Sequence, residues 1–403
     1  MKSLYISYLS IEDPLVRTQV VSYLRVLAQN DIKIFLLTFE PKMPSSEHRK
    51  KITALLAKQG IKWNCLRYHK RPSLPATLWD IFIGTIFSFI LVKRYQVDVI
   101  HARTHVPAAM ALILKKITGA KMLFDVRGLM ADEYVDAGIW KKTSINFKLV
   151  KYMEQIFFDK ADVIVVLTER IKKILYNKGK LKLSSTQVIP SCVDIERFQV
   201  EPQSMIKRRA ALGLEHKTVL IYIGKFGSWY LLDQMIDFFK IARQIISNLH
   251  FLLLTQSEHE IAHNAFERHN VSLVDYTVTT VTVEEMPQNL LMADAAISFI
   301  QPCFSKIASS PTKIGEYLAA GLPIISNTGI GDCDVLLKNQ GVGILIDHFD
   351  EKSYQLAAVQ LAALLVEREK VRERCQERAQ EELSLQNVGT KRYREVYSRL
   401  GNN

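Results

Sequence analysis

Five cysteines in 403 residues, at 65, 192, 303, 333 and 375, form no C-x-x-C pair and no recognisable zinc pattern. This excludes a disulfide framework and a zinc module, and it predicts a reducing compartment. Long apolar runs are also scarce. The strongest membrane candidate, "LWDIFIGTIFSFILV" at 78–92, is fifteen residues long, contains Asp80 and stops at Lys93-Arg94. A span needs about 20 apolar residues. The stretch is therefore expected to be a mostly buried core helix, with a helix lying in a membrane interface as the alternative. The opening "MKSLYISYLSIEDP" holds no sustained apolar stretch before Asp13-Pro14, so no signal peptide is expected. Tandem repeats and low-complexity tracts are absent.

With 48% apolar and 23% charged residues, the chain has a globular composition, and its length suits two domains. The charge is uneven. Residues 1–185 hold 31 Lys+Arg against 15 Asp+Glu, and the remainder holds 22 against 26. A basic first half points to an anionic surface or substrate, a lipid headgroup, a lipid pyrophosphate or nucleic acid, and of these nucleic acid is not the partner finally expected. Short apolar runs at 3–9, 33–39, 98–102, 121–126 and 161–168 alternate with amphipathic stretches such as 17–30. The series restarts at 218–224 and continues at 250–255, 295–300 and 322–326. Strands this apolar imply parallel sheets covered on both faces, hence a doubly wound α/β chain. "QVIPSCVDIERFQVEPQ" at 187–203 reads as the junction. The reading is a first domain over 1–186, a second over 187–386 and a terminal helix over 387–403. Two such domains are expected to face across a cleft, with ligand at the carboxyl ends of the strands.

The densest chemistry lies in "PTKIGEYLAAGLPIIS", 311–326. Pro311 suits a first helical position, and Ser309 or Ser310 an N-cap. Lys313 is then a cation in the first turn, where the helix dipole is already positive. An anion at this helix start would explain it, and a diphosphate bound by Ser310, Thr312 and Lys313 fits. Glu316, one turn on, can accept two hydrogen bonds from a ribose diol. Diphosphate beside ribose describes a nucleoside diphosphate. In "YIGKFGSWYLLDQMIDFF", 222–239, Gly224 permits close backbone approach and Lys225 leaves a strand end, so Lys225 and Lys313 form a candidate two-lysine clamp. In "NTGIGDCD", 327–334, Gly329 and Gly331 are expected to leave backbone N–H groups open to the ligand. The "DCD" there is a weak match to a metal-holding motif, so no metal and no cofactor are expected.

Together "SSPTKIGEYLAAGLPIISNTGIGD", "VIPSCVDIERF", "ADVIVVLTERIKKIL" and "VLIYIGKFGSWYLLDQM" resemble family 4 glycosyltransferases of the GT-B fold. The resemblance implies two Rossmann-like domains, a nucleotide-sugar donor held by the second and an acceptor held by the first. It also implies transfer with retention and a C-terminal helix that returns to the first domain. Glu316 matches the family's ribose-binding glutamate, and Lys225 and Lys313 match basic positions near the diphosphate. The sequence departs from the family twice. Ala308 stands where a second glutamate is frequent, and "SYLSIEDPLVRTQ" lacks the glycine pair that often follows the first strand.

In the first half, "HARTHVPAA" and "FDVRGLMADEYVDAG" each follow a strand. Asp125 takes a place where the resembling family often has a polar residue, and Arg127 can hold a phosphate or sugar hydroxyl. Both join Lys225 and Lys313 as catalytic candidates. Arg17, Gln19, Arg103 and His105 are acceptor-side candidates, with His101 read as structural and less exposed than His105. The expected activity is transfer of a sugar to a glycan or lipid-pyrophosphate acceptor in cell-surface polysaccharide synthesis. The expected place is the cytoplasm, free or peripheral on the anionic inner face of the plasma membrane. A sugar-nucleotide 2-epimerase of the same fold and a silent nucleotide-binding scaffold remain the alternatives.

Overall fold

The computed structural model describes residues 1–227, 229–338 and 341–401. The chain forms two compact units: Met1–Pro190 together with the segment from Leu385 onward, and Ser191–Ser384. In the first unit seven strands form one sheet: β1 (Lys2–Ser7), β2 (Lys33–Glu40), β3 (Ile61–Arg67), β4 (Val99–Arg103), β5 (Lys121–Asp125), β6 (Val163–Val166) and β7 (Thr186–Val188). Their order is β3-β2-β1-β4-β5-β6-β7, and every pairing is parallel. In the second unit β8 (Thr218–Ile223), β9 (Leu249–Leu254), β10 (Tyr276–Thr279), β11 (Ala295–Ser298), β12 (Ile324–Asn327) and β13 (Gly343–Ile346) lie in the order β10-β9-β8-β11-β12-β13. These strands are also parallel throughout. Both sheets are Rossmann-like. The strand order reverses direction between β1 and β4 in one, and between β8 and β11 in the other. A ligand crevice opens at such a reversal, beyond the strand carboxyl ends.

The central strands are apolar because helices cover both faces. β9 is buried at all six positions. In the second unit one apolar cluster packs Val219, Ile221, Leu252, Ile314 and Tyr317 on one side of the sheet. Another packs Leu220, Tyr222, Phe239, Phe251 and Phe266 on the other. The alternation of neighbouring residues between the clusters is the strand period of two.

The apolar segment expected at 78–92 belongs to a 23-residue helix, Ser73–Tyr95. It is not mostly buried: 39% of its most apolar 18-residue window is covered. One side packs into the first unit. Gly84 is so close to the chain that a Cβ there would lie 2.8 Å from the Met110 sulfur and 2.9 Å from Phe39. Asp80 on this side accepts hydrogen bonds from the Tyr8 hydroxyl (2.7 Å) and the His69 amide (2.9 Å), and pairs with the His69 ring at 2.6 Å. The other side is exposed and carries Leu74, Leu78, Trp79, Phe82, Ile86 and Ile90.

The terminal helix Lys391–Gly401 packs in the first unit, as the family resemblance implied. Tyr393 and Tyr397 on it are each 1% exposed. The Tyr397 hydroxyl lies 2.8 Å from Ser3 Oγ and 3.0 Å from His101 Nδ1, which stitches this helix to β1 and β4.

Candidate active site

In the second unit β8 ends at Ile223 and the chain turns at Gly224 with φ +135°. A Cβ on Gly224 would lie 2.9 Å from Lys313 Nζ, so a side chain there would displace the ammonium. Lys313 Nζ donates to the Tyr222 hydroxyl at 2.9 Å, and that hydroxyl donates to the Lys225 carbonyl at 2.8 Å. The Tyr222 and Tyr230 ring centroids stand 4.1 and 4.0 Å from the same ammonium. Lys313 is thus held between two aromatic faces, an arrangement that favours a cation. It is 6% exposed, and burial pulls its pKa down to about 7, a trend that the Glu316 carboxylate only partly opposes. Burial likewise raises the Glu316 carboxyl, against the opposing pull of Arg197 and Lys313. The structure therefore brings Gly224, the Lys225 backbone, Lys313 and Glu316 into one neighbourhood, with the Lys225 side chain exposed. Ser228, in the expected Gly-Ser turn, lies outside the described residues.

Three details correct the sequence reading. The helix runs Thr312–Ala319 with Pro311 as its N-cap, not its first residue, and without a side-chain cap. Pro311 is itself extended, with ψ 122°, so the helix starts one residue later than Ser310 could cap; the Ser310 hydroxyl instead accepts from the Ser191 amide at 3.0 Å. Gly329 and Gly331 do not leave their N–H groups open. Gly329 donates to the Asp334 carboxylate (3.1 Å) and Gly331 to the Lys306 carbonyl (2.9 Å), because amides folded into a unit find partners within it. The sequence reading also missed the cation's surroundings: Tyr222, Tyr230 and a third lysine, Lys306, whose Nζ stands 3.8 Å over the Trp229 ring. The signal was present in "YIGKFGSWY", where aromatics recur on both sides of Gly224. Ala308, in the position of the absent second glutamate, is 3% exposed.

In the first unit Asp125 ends β5 and is fully buried. Its Oδ2 accepts from Arg127 Nε at 2.8 Å and from the Tyr393 hydroxyl at 3.1 Å. Arg127 Nη2 donates to that hydroxyl at 2.8 Å. His101 Nε2 and Arg103 Nη1 stand farther off, at 3.6 and 3.8 Å. Burial works to raise the Asp125 carboxyl, but Arg127, His101 and Arg103 outweigh it and hold it well below the usual carboxylate range. Burial keeps His101 below its ordinary pKa. Asp125 and Arg127 thus clasp the terminal helix. His105, read as more exposed than His101, is buried: its Nε2 lies 3.0 Å from Glu154 Oε2, and Lys151 bridges Glu154 and Asp132. Arg103 is buried too. Arg17 is exposed and pairs with Glu12 at 2.8 Å. Gln19 is buried in a five-residue π-helical stretch, Arg17–Val21, a distortion often found beside functional sites. A cavity of about 720 Å³ opens beside the ends of β1 and β4, at the reversal of strand order.

Residues 16–197 match the family model described as Glycosyltransferase Family 4. An uncharacterized glycosyltransferase of Methanocaldococcus jannaschii is 21% identical over 270 residues. That match covers 64% of this chain and 62% of the relative, less than two thirds of the relative's length. A glycosyltransferase structure from Rickettsia africae ESF-5 aligns over 100% of this chain and 99% of its own, with TM-score 0.75 and 15% identity. The Anabaena protein HepE, solved in complex with UDP-glucose, aligns over 99% and 100% of the two chains, with TM-score 0.72 and 13% identity. With the two sheet orders and the terminal helix, these likenesses define the fold as GT-B.

Proposed function

We propose that the protein is a retaining glycosyltransferase of family 4 type, taking a nucleoside-diphosphate sugar in the second unit and a glycan or lipid-linked acceptor in the first. One observation carries the reading: Lys313 is buried against Gly224 between two tyrosine rings, at the start of a helix with no side-chain cap, one turn before the buried Glu316. A buried ammonium with one hydroxyl partner is costly unless an anion joins it. A diphosphate supplies that anion, and the amides of the first helical turn add donors. Glu316 holds the ribose. As the glycosidic bond breaks, negative charge grows on the departing diphosphate, and Lys313 with Lys225 stabilises it; removing one such group typically costs about 3–4 kcal/mol. No protein nucleophile is needed on this route. Asp125 and Arg127 act by positioning, since their contacts hold the terminal helix. The likeness to a structure solved with UDP-glucose supports the donor class. The exposed apolar side of the 73–95 helix, with Lys93 and Arg94 at its end, supports peripheral binding to an anionic membrane.

The buried Ala308 favours a second reading, in which the nucleotide site is kept without turnover. A panel of nucleotide sugars screened by thermal shift, followed by diphosphate release with a membrane extract, tests both. A donor that raises the melting temperature and releases its nucleoside diphosphate only with extract supports transfer. Binding without release supports the scaffold, interconversion of sugar epimers supports a 2-epimerase, and no stabilisation by any donor refutes the reading.

A further inference from the structure

The first-unit cavity contains a buried cation with unused hydrogen-bond donors. Arg103 and Ser7 end neighbouring strands β4 and β1, and both line the cavity. Arg103 is 6% exposed and Ser7 is fully buried. Nε and Nη1 of Arg103 and Oγ of Ser7 have no hydrogen-bond partner among the described residues. The nearest carboxylate, Asp125, is already committed to Arg127 and Tyr393, and Arg103 reaches it only at 3.8 Å. Two guanidinium groups therefore share one carboxylate, and a guanidinium cannot shed its proton. Three further carboxylates near the β1 end of the cavity are engaged elsewhere. Asp13 caps the Leu15 amide at 2.8 Å; Glu40 accepts from Thr38, Ser10 and the Ile11 amide; Asp80 accepts from Tyr8 and His69. Arg103 thus keeps two N–H groups without an acceptor among the described residues.

The rest of the wall is apolar and aromatic. Tyr134 and Trp140 pack against each other with ring centroids 4.4 Å apart, and both line the cavity, as do Tyr8 and Tyr68. Leu74, Ile139 and Leu149 line it as well, and each is also exposed, at 52%, 64% and 48%. Leu74 is the first of the apolar residues on the uncovered side of the 73–95 helix. Between Leu74 and Ile90 that helix has no charged exposed residue, and Lys70 and Arg71 before it and Lys93 and Arg94 after it are exposed. The cavity thus has a buried cation at its base, aromatic walls and an apolar rim continuous with a long apolar surface.

We propose that this cavity selects a phosphate-linked amphiphile: an acceptor whose phosphate sits on Arg103 and Ser7 and whose apolar chain leaves over Leu74 and Leu149 toward the bilayer. This rests on the glycosyltransferase reading and names the acceptor class within it. A phosphate brings negative charge to the buried guanidinium and accepts from its unpartnered N–H groups, a charge-assisted hydrogen bond. The cavity volume suits a head group and the first part of a chain. The exposed apolar residues beyond the rim would bury the remainder at the membrane surface, where the flanking lysines and arginines meet anionic lipid.

The test uses the full chain and four probes: octyl phosphate below its micelle concentration, octyl glucoside, glucose 1-phosphate and inorganic phosphate. Binding is followed by calorimetry and by tryptophan fluorescence, with Trp140→Phe identifying the reporter. Octyl phosphate is expected to bind at least tenfold more tightly than each of the other three. Arg103→Gln should reduce it to the level of octyl glucoside, and Arg103→Lys should restore part of the loss. Trp140→Ala should weaken the phosphate and the glucoside alike, which tests the apolar wall should Arg103→Gln fail to fold. Equal binding of octyl phosphate and octyl glucoside overturns the anion site. Equal binding of glucose 1-phosphate and octyl phosphate overturns the lipid part. Either result, with nucleotide-sugar binding intact, sinks this inference and leaves the glycosyltransferase reading standing; failure of every nucleotide sugar to bind sinks that reading instead.

Discussion

Replacing Lys313 by methionine should make the protein more stable and far less active. Methionine keeps most of the side-chain length and removes the ammonium. In the folded chain burial brings the Lys313 pKa from 10.5 to about 7. At about 1.4 kcal/mol per pH unit, the difference corresponds to about 5 kcal/mol favouring the uncharged form. This is the cost of burying the charge below pH 7 after the pull of Glu316 is counted, and the Tyr222 hydrogen bond and the two ring contacts offset part of it. The variant escapes that cost, loses one hydrogen bond of about 1 kcal/mol and gains apolar burial. A gain of about 2–4 kcal/mol at pH 6–7 is expected. The sign with pH follows from proton counting. The unfolded chain keeps the lysine proton up to 10.5 and the folded chain releases it near 7. Between these values the unfolded state binds more protons, so the wild-type protein gains stability as pH rises, by up to about 1.4 kcal/mol per unit. The variant lacks this slope, so its advantage should shrink from pH 7 toward pH 9. Urea unfolding at pH 6, 7, 8 and 9 measures the difference, and turnover with the identified donor should fall about 100- to 1,000-fold. A variant that unfolds more easily than wild type at pH 7, or that loses activity only in proportion to its stability, would refute the assignment of Lys313 to the leaving group.

Gly224→Ala places a methyl 2.9 Å from Lys313 Nζ at φ +135°; calorimetry should show donor affinity down tenfold or more, together with a lower melting temperature. Asp125→Asn leaves Arg127 and Arg103 without a carboxylate, so urea unfolding should show a loss of about 3–5 kcal/mol, and hydrogen exchange should rise in 391–401. Wild-type stability from Asp125 is complete above the ordinary aspartate pKa and is lost as pH falls below it, which acid unfolding of the two proteins will reveal as a shallower loss in the variant. Phe82→Ser with Ile86→Ser should leave stability within about 0.5 kcal/mol, because both side chains are exposed, and should abolish flotation with liposomes containing anionic lipid. Unchanged flotation would remove the 73–95 helix from any membrane contact.

The interior of both sheets was legible because an interior strand is apolar on both faces. The reading found β1, β2, β4, β5 and β6, then β8, β9, β11 and β12, and missed β3, β7, β10 and β13. Those four are the edge strands of the two sheets. An edge strand has one open side and needs less apolar character: β3 reads IKWNCLR with only alternate positions buried, β10 is YTVT, β7 has three residues, and β13 opens with glycine. The candidate site divides in the same way. Lys313, Glu316 and Gly224 announce themselves by local conflict, a cation at a positive helix end or a glycine at a strand end. The clasp of Asp125, Arg127 and Tyr393 joins residues about 268 positions apart, and no local pattern encodes it. The Ser73–Tyr95 helix was read as mostly buried because its sequence is apolar all round; whether the outer face is covered depends on neighbours that the sequence does not name.

The two units also keep their buried cations by different means, and the difference can be measured. Lys313 can give up its proton, so without donor it loses its charge as pH passes 7, and an anionic donor must then bring a proton back to bind. Arg103 has no such escape, and its charge persists at every pH the fold tolerates. Stabilisation by a nucleotide sugar, whose diphosphate keeps a fixed charge, should therefore be constant below pH 7 and fall by up to tenfold in affinity per unit above it. Stabilisation by octyl phosphate should not fall over the same range, since the phosphate only becomes more negative as pH rises. Thermal shifts with both ligands from pH 6 to 9 give the comparison on one sample. If both fade together, the lost affinity comes from some general property of the protein, and the assignment of one titrating and one permanent cation fails.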